Sequence, residues 1–180
     1  MHWLVERTLV GRTGKQTIAK YAAGPDRFHG VLIIASAALL GVGIAAPFAT
    51  VDGFFGLTGQ FSLFQAILEL MKAGQGVYAV GVAVVFMVVP VLIVATNFDL
   101  WYKIELTSDK FEKYQRRLAL CGRLWFFVML ATIALVFYVR TSGAGGVLHA
   151  SVYYLLLSVI LQKLNHGRIT RLLATVKFVD

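Results

Sequence analysis

Long runs without a charged residue constrain this chain more than any other feature of its sequence. From Phe28 to Val51 there are 24 consecutive uncharged residues, and between Lys72 and Asp99 there are 26. A helix needs about 20 apolar residues to cross the hydrocarbon core of a bilayer, so each run suffices for one crossing. Only 16 residues separate Arg123 from Arg140, and the chain is again uncharged from Thr141 to Gln162. The runs predict an all-α fold: an integral-membrane four-helix bundle with spans at 28–51, 73–98, 121–140 and 145–162. A basic interfacial segment, 1–27, precedes the transmembrane domain 28–162, and a basic interfacial tail, 163–180, follows it. With 58% hydrophobic and 14% charged residues, this composition cannot be hidden in a water-soluble fold of 180 residues; ordinary soluble domains carry about 25% charged residues. The first run begins well inside the chain without a small-residue cleavage site after it, so the first span is expected to stay in the protein.

Within the first run Ala37, Gly41 and Ala45 recur every fourth position. That spacing puts them on one smooth helix face, which is expected to pack closely against Ala79 and Ala83 of the second span. Pro47 loosens the end of span one, and a short loop containing Asp52, Gly53, Gly56, Thr58 and Gly59 follows. Ser62 and Gln65 then fit a capping box, in which each side chain satisfies the other's exposed amide. The helix beginning there carries Ser62, Gln65, Glu69 and Lys72 as a narrow polar stripe. Phe61, Phe64, Ile67, Leu68 and Met71 cover the rest, so this short amphipathic helix between spans one and two is expected to contact lipid or a partner. Gly74 and Gly76 break it. Pro90 lies inside the second run, where it removes an amide donor near Phe86 and is expected to act as a hinge.

Asp109 and Glu112 can start the helix that leads into span three. At roughly 24 Å of helical rise, that span is short, so Arg123 and Arg140 must reach the head groups with extended side chains. Trp101, Tyr102 and Trp125 join them as expected interface anchors. In the tail, Ile169, Leu172, Leu173 and Val176 share one face with Arg168, Arg171 and Lys177 around them, the pattern of an interfacial helix.

Orientation follows from the basic residues. Fifteen of the 17 lysines and arginines fall in the N-terminal segment, the middle loop and the C-terminal tail, leaving only Lys72 and Arg140 on the other side. The positive-inside rule therefore puts both termini in the cytoplasm. The same basic excess accounts for the net charge of +8 through attraction to anionic head groups, and no nucleic-acid partner is expected.

Chemistry would need converging polar groups. His2, His29, His149 and His166 are spread over both ends and both sides of the expected topology, and Cys121 is the single cysteine. Haem ligation by His29 or His149 is left without a second ligand at the same level. No nucleophile motif, phosphate loop or paired cysteine motif is present, and no charge sits mid-span, Arg123 and Arg140 lying at the ends of the third. The expectation is a protein that is not an enzyme and binds no cofactor or metal.

Phe61-Ser62-Leu63 with Ala66 and Leu70, then Gly74, Ala79, Pro90 and Gly122-Arg123, resemble the four-helix transmembrane unit of the paraquat-inducible protein A family. The likeness runs from about Phe28 to Leu161. It implies a multi-pass protein of the bacterial inner (cytoplasmic) membrane, working beside periplasmic lipid-shuttling proteins. Where the full pattern has a lysine after the span-two proline, this chain has Ile93; where it has an acidic residue in span three, this chain has a run such as Phe127-Val128-Met129. The zinc modules of longer members are missing.

Two functional expectations follow. One is a non-enzymatic partner in envelope lipid transport or membrane maintenance, in contact with membrane lipids and another membrane or periplasmic protein. The alternative is a structural accessory subunit of a larger respiratory or photosynthetic complex. The topology has a direct test: a Thr58→Cys variant is expected to react with a membrane-impermeant maleimide in intact cells. Reaction only after lysis reverses the orientation.

Overall fold

The computed structural model describes residues 16–54, 57–108, 110–141 and 147–176. In chain order these form a short helix α1 (Ile18–Tyr21), a 3₁₀ turn (Gly24–Phe28) and α2 (His29–Ala45). Strands β1 (Pro47–Phe54) and β2 (Leu57–Ser62) follow, then α3 (Leu63–Lys72) and α4 (Gly76–Ala83). A π-helical turn (Val84–Val88) joins α4 to α5 (Val89–Tyr102). The chain closes with α6 (Lys110–Thr141), β3 (Val147–Leu148) and α7 (Ala150–Val176). Three helical stretches are long and apolar enough to cross a membrane: Gly24–Ala45, Gly76–Tyr102 and Lys110–Thr141.

The protein is mostly helical but not all-α. The first helix stops at Ala45, six residues before the uncharged run ends, because Pro47 forces its predecessor out of the helical region; Ala46 sits at φ −76°, ψ 157°. From there β1 runs antiparallel to both β2 and β3, in the order β2-β1-β3. Pro47 faces Ser62, Val51 faces Gly59, and Ala49 faces Leu148. The expected loop around Asp52 is thus a β-hairpin. An uncharged run cannot by itself tell helix from strand, and Phe48, Thr50 and Val51 favour the extended state once the proline has broken the helix. The side chain of His149 fastens the sheet, its Nε2 lying 2.8 Å from Thr50 Oγ1, while its backbone N–H donates to Phe48 O at 3.0 Å.

Ser62 caps α3 as the spacing predicts: its hydroxyl accepts from Gln65 N, and Gln65 Oε1 accepts from Ser62 N. At the other end Gly74, at φ +74°, closes a Schellman motif, in which Gln75 N donates to Leu70 O and Gly74 N to Met71 O. Pro90 is accommodated without ending the helix. The Val89 N–H reaches back five residues to Val84 O, and this widened turn absorbs the donor that proline lacks.

Helix α6 runs unbroken from Lys110 through Arg123 to Thr141, as expected of a helix leading into span three, and its 32 residues rise roughly 48 Å at 1.5 Å each. One further boundary differs from expectation. Helix α7 continues through Lys163 to Val176, with Ile169 and Leu173 buried, so the described part of the tail extends the last helix and packs one face into the protein. Nothing between Gln162 and Arg168 interrupts helical geometry, and charge alone does not end a helix. The described part of the N-terminal segment also packs inward. Thr17, Ile18 and Ala19 are buried, and Leu106 N donates to Gln16 O. The expectations for residues 1–15, Asp109 as a helix start, the turn 142–146 and the tail beyond Val176 lie outside the described residues.

Packing centres on α2 and α7, which run antiparallel in the most extensive helix contact of the protein. A Cβ placed on Gly43 would lie 3.0 Å from the backbone N and Cα of Leu155. One at Gly41 would meet nothing within 4 Å. Gly43→Ala is therefore expected to cost about 1–3 kcal/mol through overpacking, whereas Gly41→Ala leaves stability unchanged or raises it. Thermal unfolding in mild detergent reads the difference, and equal behaviour of the two variants means the contact face is misassigned.

Candidate functional site

Two features carry chemical information: a groove on the outside of the helices and a polar layer inside them. The groove runs between α2 and α5 and encloses about 600 Å³. Ile34, Ala37 and Gly41 line one wall, and Val91, Ala95 and Phe98 the other. Its end is marked by Asp99 and Lys103, paired at 2.7 Å one helical turn apart, with the Lys103 ammonium 5.5 Å from the Phe98 ring centre. The size falls within the range of about 300–1,000 Å³ usual for small-molecule sites.

This groove corrects the packing expected of Ala37, Gly41 and Ala45. All three are exposed, and Ala37 and Gly41 line the groove rather than being buried against span two. The contact face of α2 is instead His29, Ile33, Ser36, Leu40 and Gly43, which are all buried. Small residues repeat on both faces of this helix, so their spacing did not reveal which face turns inward. Ala79 is fully buried in the core beneath the sheet, and Ala83 is half-buried beside it.

On α3, Phe64, Leu68 and Met71 point outward, while Ile67 is buried and Phe61 half-buried. Of the expected contact residues, three form a shared exposed face and Ile67 belongs to the core. Pro90 is buried. Trp101 and Tyr102, expected as interface anchors, are buried as well, in a cluster with Ile18, Ile33, Leu118 and Ile169. Aromatic residues at a span end read as belt residues only until α1 and α7 cover them. Trp125 is half-buried and ties α6 to α7: its Nε1–H donates to Val159 O at 2.7 Å, under the Lys163 ammonium at 4.8 Å. Arg123 and Arg140 are exposed.

The polar layer was not anticipated. His29 Nε2 lies 3.4 Å from the backbone O of Asn165, and its ring is 5.3 Å from that of Trp101. Asn97 sits one helical turn from Trp101 on the same face of α5. On α7, Ser158, Gln162 and Asn165 share one face; Ser158 Oγ donates to Ser36 O at 2.7 Å, and Gln162 Nε2 to Ser158 Oγ at 3.2 Å. Ser36, Asn97, Ser158, Gln162 and Asn165 are all at most 1% exposed. Just beyond the layer Arg168 makes a two-pronged ion pair with Asp26, both bonds 2.7 Å long. His166 occupies the space left by Gly122, where a Cβ would come within 2.5 Å of its Nε2. It lies past the apolar run, and burial pushes its imidazole below the ordinary histidine pKa, with the Lys163 charge adding to the effect. The spacing of four and three from Ser158 to Asn165 was readable as a single polar face. What it would meet was not.

Among the described residues, no group of three or more His, Cys, Asp or Glu is placed to hold a metal ion; His2 lies outside them. Compared with protein-family models, curated proteins and solved structures, the chain matches none.

The Asp26–Arg168 pair joins residues 142 apart in sequence and holds the turn before α2 onto α7. Asp26→Asn is expected to lower the unfolding temperature, as is Arg168→Gln. The double variant should lose less than the sum of the two, because each single change removes the same bond. Simple additivity in a thermal-shift cycle would show that the two side chains do not act on each other.

Proposed function

We propose that this chain is a non-enzymatic, multi-pass membrane protein that holds a lipid acyl chain in the groove between α2 and α5. On this reading it works with a partner in lipid transport or maintenance of the bacterial inner membrane, with α7 as a fourth crossing and both termini in the cytoplasm. The observation that carries it is the groove: apolar walls, an opening to the outside of the helices, and a charged pair at one end. An acyl chain buried there would lie against Ala37, Gly41 and Ala95, while a head group could meet Asp99 and Lys103. The exposed face of Phe64, Leu68 and Met71 supports contact with lipid or with a partner at the sheet end. The resemblance to the paraquat-inducible protein A family points the same way.

A second reading has its own observation. Ala37, Gly41 and Ala45 form a smooth exposed stripe, and small residues let helices approach closely in membranes. A helix of a larger complex could dock there, making this chain an accessory subunit.

Gly41→Trp and Ala95→Trp place an indole in the groove without touching the α2–α7 contact. Native mass spectrometry of the protein released from mild detergent is expected to show co-purifying phospholipid reduced several-fold in both. Unchanged lipid retention overturns the acyl-chain reading. Loss of a co-purifying protein instead of lipid favours the accessory-subunit reading.

A further inference from the structure

Five side-chain atoms in the polar layer are buried without a hydrogen-bond partner among the described residues: Asn97 Oδ1, Trp101 Nε1, Gln162 Oε1, Asn165 Oδ1 and Asn165 Nδ2. Each belongs to a residue at most 1% exposed. Buried polar groups are nearly always paired, because an orphaned donor or acceptor forfeits its hydration with no return. One orphan would be an isolated defect. Five on α5 and α7, the two helices that the His29 ring touches through Trp101 and Asn165, with Asn97 and Gln162 each about one turn further in, mark out a site.

The chemistry of the set restricts what it can hold. Three amide oxygens require donors, whereas the indole N–H and the Asn165 amide N–H require an acceptor. A cation would face these donors, and an anion would face the carbonyl oxygens. Asn97, Trp101, Gln162 and Asn165 carry no charge, and the Asp26–Arg168 pair beyond them is internally neutralised. A hydroxyl group both donates and accepts, carries no charge, and fits in a small space. The pattern is also continuous with the hydroxyls already there, since Ser158 Oγ bridges Gln162 Nε2 and Ser36 O at the inner end of the layer.

We infer that the layer formed by Asn97, Trp101, Gln162 and Asn165 is an internal binding site for neutral hydroxyl groups, entered past the Asp26–Arg168 pair. The hydroxyl comes either from water or from a small polyol such as a lipid head-group alcohol. The entrance follows from the helix register: Asp26 lies in the 3₁₀ turn three residues before His29, and Arg168 three residues after Asn165, so the ion pair sits about one turn outside the layer. None of Asn97, Trp101, Gln162 and Asn165 lines the groove, which runs along the adjacent face of α2, so the site does not depend on the acyl-chain reading.

Radiolytic hydroxyl footprinting of the full chain in lipid nanodiscs tests the inference, because radicals form on bound water and oxidise adjacent side chains even when bulk solvent is excluded. Trp101 is expected to be oxidised in the wild type, and its rate should fall several-fold in Gln162→Leu and in Asn97→Leu. An unreactive Trp101 in the wild type overturns the site. Thermal unfolding gives an independent reading. If the layer is occupied, each leucine variant loses bonds to the occupant and unfolds at lower temperature than the wild type. If it is dry, each variant removes an orphaned amide and unfolds at higher temperature, which also overturns the inference. Titration with glycerol and inositol assigns the source: saturable protection of Trp101 identifies a polyol hydroxyl, and its absence in a reactive protein identifies water.

Discussion

The close antiparallel contact between α2 and α7 is the constraint on which the rest of the structure depends. At one end Gly43 lets the α2 backbone approach Leu155 directly. In the middle Ser158 donates to the backbone of Ser36, and at the other end His29 meets Asn165 and Asp26 meets Arg168. Helix association in a bilayer lacks the hydrophobic drive available in water, so it relies on tight packing and interhelical hydrogen bonds, the latter averaging about 0.6 kcal/mol each. A contact line combining both along its length fixes register as well as proximity. Once α7 is in register, Ile169 and Leu173 cover Trp101, and Ser151 reaches the backbone of Pro47 at the opposite end.

Two prolines show how the same chemistry gives different outcomes. Pro47 ends α2 and begins a strand, because β2 is close enough to supply backbone partners to the freed segment. Pro90 sits in a helix whose neighbours bury it, so the backbone adopts a π turn and the helix continues. Proline states only that one donor is missing. What replaces the lost hydrogen bond is decided by what lies next to it.

The segregation of polar groups has a similar logic. The outside of α2 and α5 is apolar along the groove, while the inside of the layer carries amides, hydroxyls and an imidazole. In a bilayer that inversion is favourable, because the surrounding lipid cannot satisfy hydrogen-bonding side chains and neighbouring helices can. On the outer side of α2, Ala37 and Gly41 line the groove, and on its inner side His29, Ser36 and Gly43 meet α7.

By itself the sequence determined the approximate place of the three long apolar helices, the capping box at Ser62, the break after α3 and the irregularity at Pro90. Each is a local property: charge-free length, side chain against neighbouring amide, a missing N–H. It did not determine the hairpin at Pro47–Ser62, the inward face of α2, the burial of Trp101 and Tyr102, or the continuation of α7 through its basic residues. Nor did it bring His29, Asn97, Gln162 and Asn165 together. Those depend on which surfaces meet across more than a hundred residues of chain. Helical periodicity fixes which side chains share a face, but only tertiary packing decides what that face touches.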